Sequence, residues 1–244
     1  MKNYKITIQY DGTRYNGWQR QGNTKNTIQE KFENVLSLMC NCPVDIFASG
    51  RTDAGVHALC QVANFKCETN LSESEIMEYL NHYLPEDILV TSIEVMPERF
   101  HSRLNAVSKT YEYSISTKKS DVFLRKYVYR IDAVPDVDKM ISASKLFMGT
   151  HDFIGFSSVK KTNKSTVRTI NSLEITKENE IIKIVINGNG FLYNMVRIIA
   201  GTLLEIGLGK LNEDIIPQIF ETNKRQMAGT TLPPCGLKLI KVFY

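Results

Sequence analysis

The sequence predicts an α+β protein of two halves, the first of which has the element order of a ferredoxin-like unit. Apolar residues alternate along residues 5–10 and recur at helical spacing along residues 27–39. Two strand-like runs, a helix and a further strand-like run follow up to residue 95. This β-α-β-β-α-β order is that of a ferredoxin-like unit. A second α+β passage follows it, so we expect a division into residues 1–104 and 105–244.

The first half is expected to contain six elements. Ser72 and Glu75 have the spacing of a capping box, which predicts a helix start at that point. The predicted strands and helices, in chain order, cover residues 5–10, 27–39, 44–49, 59–67, 72–83 and 88–95.

The second half repeats this mixture of strands and helices. Between residues 153 and 173 the chain has no acidic residue, and its many Ser, Thr and Lys residues predict a mobile basic loop. The predicted strands cover residues 110–116, 127–130, 172–176, 181–186 and 237–243, and the helices cover 137–148, 194–206 and 213–222.

Composition is that of an ordinary globular protein. The chain has 244 residues, 43% of them hydrophobic and 23% charged, with a net charge of +4. No apolar run approaches the ~20 residues needed to cross a membrane, and the N-terminus has no signal-peptide core. The cysteines lack CxxC spacing, so we expect free thiols and a cytoplasmic location.

The basic residues form separate clusters. Such clusters are ordinarily solvated surface faces, but several in one half also suit a surface that follows nucleic-acid phosphates. The candidate backbone contacts are Arg14, Arg20, Lys160, Lys161, Lys164 and Arg168, and a further cluster holds Lys118, Lys119, Arg125, Lys126 and Arg130.

The most informative stretch is residues 49–58, a polar loop between two predicted strands. Two glycines bracket Arg51 and Asp53, and loops of this kind often carry reacting side chains. A plain inter-strand loop with an exposed aspartate is the ordinary interpretation. However, the run Gly-Arg-Thr-Asp-Ala-Gly-Val-His at residues 50–57 resembles the signature of the TruA family of tRNA pseudouridine synthases.

Further motifs resemble the same family, in the same order, along essentially the whole chain. They are Tyr-Asp-Gly-Thr-Arg-Tyr-Asn-Gly-Trp-Gln-Arg-Gln at 10–21, Thr-Ile-Gln-Glu at 27–30, Phe-His-Ser-Arg at 100–103, Lys-Thr-Tyr-Glu-Tyr at 109–113 and Gly-Phe-Leu-Tyr-Asn-Met-Val-Arg at 190–197. The resemblance implies two ferredoxin-like (RRM-like) subdomains that share a continuous, mainly antiparallel sheet, with the catalytic cleft across it. It also implies a homodimer that modifies uridines at positions 38–40 of the tRNA anticodon stem-loop, with Asp53 as the nucleophile.

An isolated aspartate suits this chemistry. Pseudouridine forms when the C1′–N1 bond breaks, the base rotates and C1′ joins C5, so no redox step, metal or organic cofactor is expected. A glycosidase needs a second carboxyl group to protonate its leaving group. Here the uracil stays in the pocket, so one carboxylate, attacking C1′ or C6, is sufficient.

Arg197 stands in an apolar helical run without an acidic neighbour three or four residues away. A buried arginine needs a partner, so that partner must come from elsewhere in the fold unless the side chain reaches solvent. The resemblance points to Asp53, and such a pair would keep the carboxylate ionised and oriented.

Two further candidates rest on the resemblance. Tyr111 and Tyr113 share one face of a predicted strand, so periodicity alone does not choose between them. The family match selects Tyr111 as the residue that contacts the target base. Arg51 is either a surface arginine or, as in the family, part of the loop that reaches a flipped nucleotide.

Other functions remain open from sequence alone. The same chemistry could act on another RNA such as ribosomal RNA, or the ferredoxin-like sheets could bind RNA without catalysis. A base-specific glycosidase is a further alternative. The scattered histidines at 57, 82, 101 and 151 show no metal-binding spacing.

Overall fold

The computed structural model describes residues 1–118, 122–160 and 163–244, and it divides the chain into two compact units. Unit 1 contains Met1–Val107 and Lys238–Tyr244, and unit 2 contains Ser108–Leu237. Across the described ranges, no helix is both long and apolar enough to cross a membrane.

Unit 1 begins with the six predicted elements in the predicted order. They are β1 (Lys2–Tyr10), α1 (Ile28–Cys40), β2 (Ile46–Ala48), β3 (His57–Cys67), α2 (Glu73–Tyr83) and β4 (Ile88–Met96). Both helices start where side chains cap them. Thr27 accepts from the amide of Glu30, and Ser72 and Glu75 form the predicted capping box.

The sheet of unit 1 has the ferredoxin-like strand order. β1 lies between β3 and β4 and is antiparallel to both, and β2 is antiparallel to β3. Alternate residues of β1 are buried because successive side chains of a strand point to opposite faces. The core they enter also receives the apolar faces of the helices. Its largest fully buried members include Tyr4, Ile6, Ile8, Trp18, Phe32, Leu36 and Phe65.

In its described residues, unit 2 contains five strands and three α-helices. They are β5 (Ser108–Ser116), β6 (Tyr129–Arg130), α3 (Val137–Ser144), β7 (Gly149–Asp152), β8 (Val167–Glu178), β9 (Ile181–Gly188), α4 (Met195–Gly207) and α5 (Ile215–Thr222). The strand order is β5-β9-β8-β7 with antiparallel neighbours, while β6 pairs with β5 in parallel. The predicted α+β class and mainly antiparallel pairing are confirmed within each unit.

The prediction of a mobile basic loop over residues 153–173 is wrong at both ends of that range. Phe153 and Phe156 are fully buried, and a short 3₁₀ turn spans Ile154–Phe156. β8 starts at Val167, well before the predicted residue 172, because it pairs with β7, a strand that the sequence pattern did not indicate. The polar composition of residues 149–152 hid β7, which is last in this strand order, since an edge strand tolerates polar residues on its open side.

The last strand, β10 (Leu237–Phe243), lies mostly in unit 1, whereas the predicted boundary assigned all of residues 105–244 to the second half. β10 runs parallel to β3, with Lys238 opposite His57. The amide of Val107 also donates to the carbonyl of Phe243 at 2.8 Å. That the two sheets join into one, with a cleft across it, stays a prediction.

Candidate active site

The Asp53 loop connects β2 to β3 in unit 1. Arg51 is exposed, Thr52 is buried and Asp53 is half-buried. The amide of Val56 donates to the carbonyl of Asp53 at 3.1 Å, which closes a tight turn. Gly55 in this turn has a φ of 78°, a conformation that favours glycine. The loop therefore presents Asp53 from a folded turn.

A buried amide holds the start of this loop. Gln61 of β3 has no exposed surface. Its Oε1 accepts from the hydroxyl of Ser49 at 2.8 Å, and its Nε2 donates to the carbonyl of Gly50 at 2.9 Å. The next residue but one, Thr52, is held through its Oγ1, which lies 2.8 Å from the hydroxyl of Tyr10.

The N-terminal motif at 10–21 packs directly on the Asp53 loop. The amide of Trp18 donates to the carbonyl of Thr52 at 3.0 Å, and the amide of Gly55 donates to the carbonyl of Tyr15 at 3.3 Å. A Cβ on Gly12 would lie 2.0 Å from the carbonyl oxygen of Val56. The two motifs that resemble the family thus form one structure, and Gly12 is required for their contact.

His57, at the first position of β3, supports the same contact. Its Nδ1 accepts from the amide of Gly12 at 3.1 Å and lies 3.2 Å from Oδ1 of Asp11. The imidazole is buried. Within the described ranges, no group of three His, Cys, Asp or Glu side chains could hold a metal ion.

Two of the arginines predicted to contact RNA form ion pairs within unit 1. Arg14 Nε lies 2.5 Å from Oδ2 of Asp87, and Arg20 lies 2.7 Å from Glu33. Their side chains remain 58% and 56% exposed, so both can still face a ligand. The paired carboxylates offset part of their charge, and we therefore expect each arginine to make a weaker phosphate contact than its full charge alone would give.

Unit 2 contains Tyr111 and Tyr113, the two tyrosines between which the sequence periodicity did not choose a base-contacting residue. Tyr113 is fully buried, and its hydroxyl donates to the carbonyl of Pro233 at 2.7 Å. Burial raises the pKa of this phenol, so it stays protonated. Tyr111 is 8% exposed and packs edge-on against Phe191, with 5.1 Å between ring centroids. Tyr113 is therefore a core residue, and Tyr111 is the better candidate for base contact.

Arg197 lies in the first turn of α4 and is half-buried. Its Nε donates to the carbonyl of Leu232 at 2.6 Å, and its Nη1 donates to Oδ1 of Asn194 at 2.8 Å. These bonds hold the guanidinium against the surface of unit 2. The predicted pairing of Arg197 with Asp53 joins residues of different units and stays a prediction.

The predicted basic contacts of unit 2 differ in their surroundings. Lys160 and Lys164 are exposed, whereas Lys161 lies outside the described residues. Arg168 is half-buried at the start of β8 and donates to the carbonyls of Ser165 and Val167, at 2.9 and 2.6 Å. Burial lowers the pKa of its guanidinium from the usual value. Arg168 is thus held by local backbone.

Comparison with known proteins decides the family. The model of the tRNA pseudouridine synthase family matches residues 6–105 and 143–244, which is most of the chain. The chain belongs to the tRNA pseudouridine synthase family. The predicted family and the predicted isomerase class are confirmed. Asp53, Arg51 and Arg197 lie within the matched ranges, whereas Tyr111 lies between them.

Curated relatives named tRNA pseudouridine synthase A match the chain over most or all of its length. One from Bacillus sp. strain KSM-64 is 51% identical over 230 residues, which cover 94% of each chain. Another from Bacillus cereus, named tRNA pseudouridine synthase A 2, is 47% identical over 99% of each chain. One from Acetivibrio thermocellus is 43% identical over the full length of both.

Sequence reasoning missed three residues that build the loop of this pseudouridine synthase. They are Tyr10, Thr52 and Gln61, and all are buried. Gln61 offered a signal, since a glutamine between apolar neighbours in a strand must find hydrogen-bond partners once it is buried. Which partners it finds depends on strand pairing, so the pattern alone did not connect it to Asp53.

Proposed function

We propose that this protein converts uridine to pseudouridine in the anticodon stem-loop of tRNA, with Asp53 as the nucleophile. The observation that carries the proposal is the Asp53 loop itself. Buried hydrogen bonds from Gln61, Tyr10 and Trp18 hold the residues on its N-terminal side. Such pre-organisation is expected where a carboxylate must meet a reacting carbon in one defined position.

The proposed reaction needs only side chains of this chain. Asp53 attacks either C1′ of the ribose or C6 of the uracil, and the C1′–N1 bond breaks. The uracil rotates, C5 bonds to C1′, and the carboxylate is released. The proton on C5 then leaves, and Tyr111 is the candidate that receives it or passes it to water. Arg197 and Arg51 are proposed to orient the carboxylate and the flipped nucleotide.

The proposal is tested with unmodified tRNA transcripts. Incubation with the protein should produce pseudouridine on the 3′ side of the anticodon stem-loop, mapped by its carbodiimide adduct, with no change in RNA mass. Conversion of a ribosomal RNA fragment but not of tRNA would show that the same reaction acts on another RNA substrate. Loss of a base from the RNA would instead identify a glycosidase.

We also propose that the protein acts in the cytoplasm as a homodimer whose two copies contact one tRNA. Support comes from the family resemblance and from the free thiols of the described cysteines. Light scattering at assay concentration should give twice the 27.8 kDa chain mass. A mass of one chain under those conditions would contradict the dimer.

The stretch around Lys160 is proposed to bind the RNA backbone. Replacing Lys160, Lys161 and Lys164 together by alanine should weaken tRNA binding and reduce its salt dependence, because fewer counterions are released. The slope of log affinity against log salt should fall by about one unit for each phosphate that a lysine no longer neutralises. The rate at saturating tRNA should change much less.

A matched control uses lysines of unit 2 that already form ion pairs. Lys139 lies 3.6 Å from Asp136, and Lys183 lies 2.8 Å from Glu178. Replacing both by alanine should leave the salt slope unchanged. An unchanged slope in the triple variant as well would remove this stretch from the RNA-binding surface.

A further inference from the structure

The amide of Gln61 has one orientation only. Its Oε1 accepts from the hydroxyl of Ser49 and from the amide of Val62 at 3.2 Å, so this end must be the oxygen. Its Nε2 faces the carbonyl of Gly50 at 2.9 Å and the hydroxyl of Tyr10 at 3.4 Å. A flipped amide would place a donor against the Val62 amide and an acceptor against the Gly50 carbonyl.

This orientation determines the direction of the next hydrogen bond. The two hydrogens of Gln61 Nε2 go to Gly50 and to the oxygen of Tyr10, so the Tyr10 hydroxyl accepts there. A buried phenol needs an acceptor for its own hydrogen, and Oγ1 of Thr52, 2.8 Å away, is placed to be that acceptor. Burial raises the pKa of Tyr10 to about 12, so the phenol keeps this hydrogen at neutral pH.

Thr52 is consequently held at both of its polar ends. Its side-chain oxygen accepts from Tyr10, and its carbonyl accepts from the amide of Trp18 at 3.0 Å. The peptide that this carbonyl belongs to leads directly into Asp53. The rotamers open to a side chain depend on the φ and ψ angles of its own residue, so holding this peptide limits the directions in which the Asp53 carboxylate can point.

We propose that Gln61, Tyr10 and Thr52 form a directed hydrogen-bond chain that positions Asp53 for the reaction. They are positioning residues, because they act through the loop backbone. The proposal rests on the proposed function of Asp53. A reacting group displaced by about 1 Å can lose about 10²-fold in rate, so a broken chain should reduce the chemical step more than RNA binding.

Two variants break the chain without changing the shape of the core. Tyr10→Phe removes the donor to Thr52, and Thr52→Val removes the acceptor. Each should lower the single-turnover rate at saturating tRNA about 10- to 100-fold, with a tRNA Kd within about twofold of wild type. Thr52→Ser keeps the hydroxyl and should recover most of the rate. The double variant Tyr10→Phe/Thr52→Val should be no slower than the slower single variant.

Tyr4→Phe is the matched control. Tyr4 lies on the same strand and is also buried, with its ring stacked on Phe65 at 5.4 Å. Tyr4 is six positions before Tyr10 along β1, or about 20 Å at ~3.3 Å per residue. Loss of its hydroxyl should leave the single-turnover rate unchanged, even if the thermal midpoint falls as far as in Tyr10→Phe.

Three outcomes separate the possible failures. Tyr10→Phe and Thr52→Val with wild-type rates would overturn the positioning role and leave the proposed function intact. The positioning role would also be overturned if the rates of both variants fell only in proportion to their lost stability and Tyr4→Phe were equally slow. An inactive wild-type protein, or an active Asp53→Asn variant, would instead contradict the proposed function on which the chain depends.

Discussion

Asp53→Asn is expected to abolish pseudouridine formation while leaving tRNA binding nearly unchanged. The amide has almost the same shape as the carboxylate, so the turn from Asp53 to Val56 should persist. It cannot form the covalent bond or stabilise positive charge on the ribose. Loss of a nucleophile typically costs at least about 10⁴-fold in rate. Single-turnover assays and tRNA titrations, run on the same preparation, measure both quantities.

Asp45→Asn is the control for this substitution, because Asp45 is exposed immediately before β2 and lies outside the loop. Its rate should equal that of wild type. Mass spectrometry must show that the Asp53→Asn protein has not deamidated. If the intact variant then turns over at a comparable rate, Asp53 is not the nucleophile.

Gly12→Ala is expected to cause the second-largest loss. The new Cβ would lie 2.0 Å from the carbonyl oxygen of Val56, and a backbone atom cannot move aside as a flexible side chain can. We expect a loss of roughly 2–3 kcal/mol of stability from this overpacking. For a chain of this size that corresponds to about 5–10 °C in the thermal midpoint. Because Val56 closes the Asp53 turn, the rate should also fall about 100-fold.

Gly22→Ala provides the matched control in the same N-terminal segment. A Cβ at Gly22 would have no neighbour within 4 Å, so calorimetry and turnover should match wild type. A Gly12→Ala protein that melts and reacts like Gly22→Ala would show that the contact between the two motifs is not tight in solution.

The local sequence pattern was sufficient to predict most of the helices and strands. α1 and α2 lie within one residue of their predicted bounds, because their apolar spacing and the caps at Thr27 and Ser72 act within a few residues. The sequence pattern failed to predict strand segments whose formation depends on a neighbouring strand. Residues 167–169 resemble a polar loop by composition and form a strand because they pair with β7.

The candidate site divides in the same way. The sequence by itself determined that Asp53 stands in a glycine-bracketed loop between two strands, since short-range spacing and motif resemblance carry that information. Only the tertiary structure decided that Tyr113 is a core residue bonded to Pro233, and that Arg14 and Arg20 are paired with Asp87 and Glu33.

The hydrogen-bond network that holds the Asp53 loop likewise could be identified only from the tertiary structure. Tyr10 and Gln61 are 51 residues apart in sequence, and the hydrogen bond between them exists because β1 and β3 are adjacent antiparallel strands. The amino-acid sequence determines each residue's local preference and the chemistry of its side chain. Hydrogen bonds between residues distant in the chain depend on strand register, and register is settled only when the two faces of the sheet are packed.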